Sequence, residues 1–184
     1  MRIVGGTLGG RVLRAPRGPA TRPTSEKVRE ALFAILGDVT GARVLDLFAG
    51  AGGLGIEALS RGAAHATFVD AARPAIAAIR ENLAQLGLPP ACATLHGAEA
   101  VAFAARAAPA VPWDVVFVDP PYASDLAVRA VSALPAAALA AGATIVIEHD
   151  RRHAPPDTLG SLLRTDERRY GDTLVSFYRP QVPP

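Results

Sequence analysis

One cysteine, Cys92, among 184 residues excludes an internal disulfide and a thiolate metal cluster, and suits a reducing compartment. Long apolar runs are missing as well. The opening Met1-Arg2-Ile3-Val4-Gly5-Gly6 lacks a secretory core, so export is not expected and the cytoplasm is the expected location. The longest uncharged stretch, Ala130 to Ile147, is interrupted by Pro135 and Gly142; it reads as helix, turn and strand rather than a membrane span. There is no internal repeat, and nothing in the pattern requires a metal. Lysine is nearly absent, Lys27 standing beside eighteen arginines. The cationic chemistry is therefore guanidinium chemistry, suited to phosphate contact and to stacking on bases. Apolar residues are plentiful: at 50 % hydrophobic, the chain can give one ordinary α/β domain a full core.

The net charge of +2 conceals an asymmetry. Residues 1–29 hold seven basic side chains (Arg2, Arg11, Arg14, Arg17, Arg22, Lys27, Arg29) against one acid, Glu26, and the remainder is net acidic. Such an arm is either a solvated surface or a nucleic-acid contact. Residues 2–4 and 11–14 are β-prone runs joined by Gly5-Gly6-Thr7-Leu8-Gly9-Gly10, which predicts a small hairpin. Arg17 to Thr24 is a proline-bearing connector. Thr24 is placed to cap a helix with Val28, Ala31, Leu32 and Ile35 inward, ending at Gly37. Residues 1–37 thus form an extension and 38–184 the main domain.

From residue 43 the pattern alternates, with strands at 43–48, 65–70, 91–96, 114–119 and 143–148 and helices at 53–61, 73–86, 98–107 and 125–140. This rhythm predicts an α/β fold with a mostly parallel, doubly wound sheet. Val115-Val116-Phe117-Val118 and Ile145-Val146-Ile147 read as strands covered on both faces. Leu162 to Arg169 and Thr173 to Arg179 flank Gly171-Asp172 and predict a closing antiparallel hairpin.

Gly50, Gly52 and Gly55 fit G-x-G-x-x-G, where glycine lets a tight strand-to-helix turn bring backbone N–H groups close to a ligand. By spacing alone this suits NAD, a methyl donor or a plain turn. Asp46 favours the methyl donor, because a carboxylate at that strand end suits a cationic amino tail and is awkward beside a pyrophosphate. Asp70, ending the next strand, can accept ribose hydroxyls in either case. Glu99 opens a later helix, where an acid suits the helix dipole as well as an adenine amino group.

Asp119-Pro120-Pro121-Tyr122 follows the most hydrophobic strand, which a doubly wound sheet sets beside the first one. Two prolines hold the chain rigid and leave carbonyls available as acceptors. The Asp119 carboxylate and Pro120 carbonyl can hold the two hydrogens of an exocyclic amine while Tyr122 stacks on its base, worth about 1–3 kcal/mol. The bland alternative is a proline-rich turn with a surface tyrosine. Glu148-His149-Asp150-Arg151-Arg152-His153 is read as a solvated strand end rather than a metal site, and Cys92 as core rather than nucleophile.

Taken together these motifs resemble the RsmD family of bacterial ribosomal RNA guanine-N2 methyltransferases. The likeness extends to Arg2-Ile3-Val4-Gly5-Gly6, Gly10-Arg11, Arg22-Pro23-Thr24, Val28-Arg29-Glu30, Leu54 to Gly62 and Tyr170-Gly171-Asp172-Thr173. The resemblance implies a Rossmann-like class I methyltransferase that moves a methyl group from S-adenosylmethionine, without a metal, to N2 of a guanine in 16S small-subunit ribosomal RNA within a partly assembled particle. It also implies a monomeric enzyme. Its matching residues are Asp119, Pro120, Pro121 and Tyr122 for the target base, and Asp46, Phe48, Ala49, Gly50, Ala51, Gly52, Asp70 and Glu99 for the donor. Arg2, Arg11, Arg22, Thr24, Lys27 and Arg29 are the candidates for RNA contact. Two departures stand out: Ala51 replaces the family's usual serine, and Glu99 its frequent Asn or Asp.

Two rivals remain at this level. The same clamp serves adenine-N6 or cytosine-N4 in DNA, although the chain has no spare hundred or so residues for a sequence-reading domain. A non-catalytic RNA-binding assembly factor would keep the pocket and transfer nothing.

Overall fold

The computed structural model describes residues 1–16, 25–120 and 125–181. Eight strands form one sheet: β1 Arg43–Leu47, β2 His65–Asp70, β3 Ala93–Gly97, β4 Trp113–Val118, β5 Leu139–His149, β6 Thr158–Leu159, β7 Leu162–Tyr170 and β8 Thr173–Pro180. Their order across the sheet is β3-β2-β1-β4-β5-β8-β7-β6. The first five are parallel neighbours, and β8 joins β5 antiparallel as half of the closing hairpin. The helices are α1 Glu26–Leu36, α2 Gly53–Ser60, α3 Arg73–Gln85, α4 Ala100–Ala104 and α5 Leu126–Ala133. This is a doubly wound α/β arrangement, a mostly parallel sheet ending in an antiparallel hairpin.

Alternation along the strands explains why both faces are covered. Val44, Phe68, Val115, Phe117 and Val146 project toward α1, α2 and α3, whereas Leu45, Leu47, Val69, Val116, Val118, Ile145 and Ile147 project toward α4 and α5. Each such side chain, fully buried, contributes roughly 1.5–3 kcal/mol. Ile3 and Leu13 of the arm and Val28, Leu32 and Phe33 of α1 belong to the first of these cores, so the extension packs onto the domain through shared apolar surface.

Several local expectations need correction. The opening hairpin is reduced to one antiparallel bridge, Arg2 to Val12, supported by Ile3 N–H donating to the Arg11 carbonyl at 2.9 Å. The cap of α1 is Ser25, whose side chain accepts from the Val28 N–H; Thr24 lies outside the described residues. The buried stripe is Val28, Arg29, Leu32 and Phe33, rotated by about one residue from the expected one, and Ile35 is exposed. Helix α4 is shorter than expected, with Glu99 as its N-cap. The helix expected over 125–140 stops at Ala133, because the residue before Pro135 must be extended, and Leu134 has ψ 126°. The chain recovered from that helix lengthens β5, which carries a register irregularity opposite Trp113 and Val115.

Candidate active site

Strands β1 and β4 lie side by side with Leu47 opposite Val118, so the glycine loop and Asp119 leave the same end of the sheet from neighbouring strands. Pro120 follows, half-buried like Asp119; Pro121 and Tyr122 lie outside the described residues. Asp46 is 2 % exposed, and its Oδ2 accepts from the Gly55 N–H at 2.9 Å. Burial pushes its carboxyl up to about 7, against the pull of that hydrogen bond, and the charges of Asp119 and Asp70 push it further in the same direction. Three carboxylates from three adjacent strand ends therefore share one electrostatic environment.

The loop between β1 and α2 turns through left-handed residues. Phe48 has φ 66°, the sole positive-φ residue other than glycine among the described residues, a conformation costing roughly 1–3 kcal/mol that clusters at functional sites. Gly52 follows at φ 81° as the N-cap of α2, tight against Ile56, Ile79 and Phe68. Gly55 serves packing instead, since a Cβ there would lie 2.3 Å from the Phe68 ring. The three motif glycine amides are occupied from within: Gly50 N–H donates to Asp70 Oδ2 at 2.8 Å, Gly52 N–H to the Ala49 carbonyl at 2.7 Å, and Gly55 N–H to Asp46. Asp70 Oδ1 also accepts from the Ala72 N–H at 2.8 Å. A carboxylate offers about four acceptor positions, so Asp70 keeps capacity for hydroxyl donors.

These features fit a cationic ligand better than a dinucleotide. A pyrophosphate needs unoccupied N–H donors at the turn, and here the three motif glycines give theirs to protein acceptors beside three carboxylates. Glu99 is exposed, and its side chain makes no capping bond.

Of the residues expected to meet RNA, Arg2, Arg11 and Lys27 are exposed, whereas Arg22 and Thr24 lie outside the described residues. Arg29 corrects the expectation. It is 1 % exposed, and its guanidinium donates to the Arg2 carbonyl. Burial lowers its pKa, opposed by the charges of Glu57 and Glu26. Arg29 thus tethers the arm from beneath. Likewise the 148–153 run is used locally: Asp150 Oδ1 accepts from the Arg152 and His153 amides at 2.7 and 3.0 Å and pairs with the His153 ring.

Two buried polar residues escaped the motif reading. Glu57, with no exposed surface, accepts from the Val4 and Gly5 amides at 2.7 and 2.8 Å and from Arg61 Nε at 2.8 Å. Asn82, 1 % exposed, bonds both the arm and the glycine loop. A carboxylate inside the otherwise uncharged run from Gly53 to Ser60 was the available signal for Glu57; nothing comparable marks Asn82.

The model of the family described as Conserved hypothetical protein 95 matches residues 1–179. The chain belongs to this family, the RsmD family. YlbH of Bacillus subtilis is 40 % identical over 182 residues, covering 97 % of this chain and 98 % of that protein. "Ribosomal RNA small subunit methyltransferase D" of Escherichia coli K12 is 39 % identical over 184 residues, covering 99 % and 91 %. The solved Escherichia coli protein yhhF superposes with a TM-score of 0.86 at 32 % identity, covering 100 % of this chain and 99 % of that one. These relatives match nearly the whole length of this chain, and the solved structure shares its fold, the Rossmann-like class I methyltransferase arrangement.

Proposed function

We propose that this RsmD family member is an S-adenosylmethionine-dependent methyltransferase acting on the exocyclic N2 of a guanine in small-subunit ribosomal RNA, with a partly assembled subunit as substrate. The observation that carries the donor assignment is the filled set of glycine amides beside the Asp46, Asp70 and Asp119 carboxylates. The substrate assignment is supported by near-full-length similarity to a protein named as a small-subunit ribosomal RNA methyltransferase.

When bound, the donor supplies a methyl group on a positively charged sulfur. Asp70 would hold its ribose, the Phe48 to Gly52 turn its amino-acid portion with Asp46 beneath, and Glu99 its adenine end. The Asp119 carboxylate and the Pro120 carbonyl would accept the two hydrogens of the guanine amine. The amine lone pair is delocalised into its ring, so acceptors that draw on those hydrogens and fix the nitrogen in line raise its reactivity. Positioning of this kind supplies up to about 7–11 kcal/mol of barrier reduction. The nitrogen loses one proton as it gains the methyl group, and the Asp119 carboxylate would take it. Tyr122 would stack on a base that has left its own stack. Exposed Arg2, Arg11 and Lys27, with Arg22 and Thr24, would hold phosphates.

The test is labelled methyl transfer with wild type and Asp119→Ala on small-subunit ribosomal RNA, its assembled particle and duplex DNA. Transfer to guanine N2 that disappears in the variant while donor binding persists is the expected result. Labelling of duplex DNA alone would favour the adenine-N6 or cytosine-N4 reading. Donor binding with no transfer to any of the three would favour the assembly factor.

A further inference from the structure

The arm is fastened to the donor-loop side of the domain by its backbone, while the side chains of Arg2, Arg11 and Arg14 are exposed. Glu57 and Ser60 of α2 hold its first turn: Ser60 Oγ donates to the Gly5 carbonyl at 2.6 Å and accepts from the Leu8 N–H at 3.0 Å. The Thr7 N–H reaches the Ser60 carbonyl at 2.7 Å. This seam is close, since a Cβ on Gly6, at φ 76°, would lie 1.9 Å from that carbonyl oxygen.

Asn82 of α3 connects the far end of the arm to the glycine loop itself. Its Oδ1 accepts from the Arg14 N–H at 2.8 Å, and its Nδ2 donates to the Arg14 carbonyl and to the Ala51 carbonyl, both at 3.0 Å. One buried amide thus spends both N–H groups and its oxygen on two segments thirty-seven residues apart in the chain. A displacement of the loop that moves the Ala51 carbonyl disturbs the group that holds Arg14, and the reverse is equally true. The Arg14 side chain, meanwhile, is mostly exposed, as are Arg2 and Arg11.

We propose that Asn82 is a positioning residue that couples the basic arm to the donor loop, so that RNA held by the arm and donor held by the loop strengthen each other's binding. The inference rests on the proposed function for the identity of the two ligands, and adds that their sites communicate through this one side chain. Linkage makes the effect reciprocal. Nucleic acid on the arm should tighten the donor site by about fivefold or more, the lower end of couplings between distinct sites, and the donor should tighten RNA by the same factor.

The experiment measures S-adenosylhomocysteine affinity by calorimetry with and without small-subunit ribosomal RNA, for wild type, Asn82→Ala and Asn82→Asp. The aspartate keeps an acceptor for the Arg14 N–H and loses both donors. The expected result is a wild-type ratio of about five or more that falls to near one in both variants, whatever happens to the separate affinities. A purely structural role would lower both affinities and leave their ratio standing. Should either variant fold poorly, hydrogen exchange on the wild type decides. S-adenosylhomocysteine alone should slow exchange of the Arg14 amide, and RNA alone that of the Gly50 and Gly52 amides; protection confined to each ligand's own segment overturns the proposal. A wild-type ratio of one in an enzyme that still methylates the RNA overturns the coupling and leaves the function standing. Absence of both RNA binding and transfer overturns the function, and the coupling with it.

Discussion

Replacing Asp46 by asparagine should make the protein more stable at neutral and alkaline pH and weaker at holding its donor. The carboxyl is fully buried, and its pKa stands at about 7 against 3.8 for the unperturbed group. Between those values the folded state holds a proton that the unfolded state has released. Stability from this group is therefore complete below about pH 4 and is lost as pH rises to about 7 and a little beyond. At 1.36 kcal/mol for each unit, the full loss is on the order of 4 kcal/mol. Asparagine has no proton to lose, and its carbonyl can still accept from the Gly55 N–H. Urea unfolding of both proteins at pH 4, 6 and 8 should show the variant gaining on the wild type by roughly that amount across the range; titrations common to both cancel in the difference. Donor affinity should fall at least tenfold, since a charge-assisted hydrogen bond contributes about 1.5–3 kcal/mol. Parallel pH curves would mean that Asp46 ionises without cost, which refutes the burial argument. Unchanged donor affinity would remove Asp46 from the donor site.

Gly55→Ala should destabilise by about 1–3 kcal/mol, because the new methyl enters the Phe68 ring at 2.3 Å. Gly50→Ala, in open space at φ 55°, should cost roughly 1–2 kcal/mol from conformation alone; denaturant midpoints compare the two. Arg29→Met should lower stability and leave the salt dependence of RNA binding unchanged. Arg2→Glu and Arg11→Glu should each reduce the slope of log affinity against log salt by on the order of one while shifting stability by less than about 0.5 kcal/mol. A salt slope altered by Arg29→Met would mean that its guanidinium reaches the nucleic acid after all.

The sheet was legible because its signals were local and redundant. Apolar runs such as Val115 to Val118, each followed by a turn, mark parallel strands wherever they lie in the chain. The edge of legibility falls at competition between neighbours. Pro135 forced Leu134 out of the helix, and Ser25 took the cap that Thr24 could equally have supplied. In α1 the expected stripe counted apolar residues and overlooked arginine, whose long stem and guanidinium can be buried against a backbone carbonyl. The charge of the arm was countable, but which of its cations face outward depended on that helix rotation. Glu57 and Asn82 were harder still: apart from the local pairing of Glu57 with Arg61, their partners are backbone groups of residues 4, 5, 14 and 51, and no side-chain pattern encodes a backbone partner that distant.

The glycine motif shows the same limit from the ligand's side. Spacing says where a chain can turn and bring amides to a point, and it is equal for a dinucleotide and for a sulfonium donor. The difference lies in whether those amides are still available once the loop is folded. Here Gly50 and Gly55 donate to Asp70 and Asp46, so the negative charge that a pyrophosphate would have brought is already built into the protein. With the Gly50 and Gly55 amides given to carboxylates, the loop sets negative charge where a dinucleotide would set its own. Asp46, placed four residues before the first glycine, is therefore more informative than the glycines, because burial holds its carboxyl toward the neutral form and a cation beside it would favour the charged one.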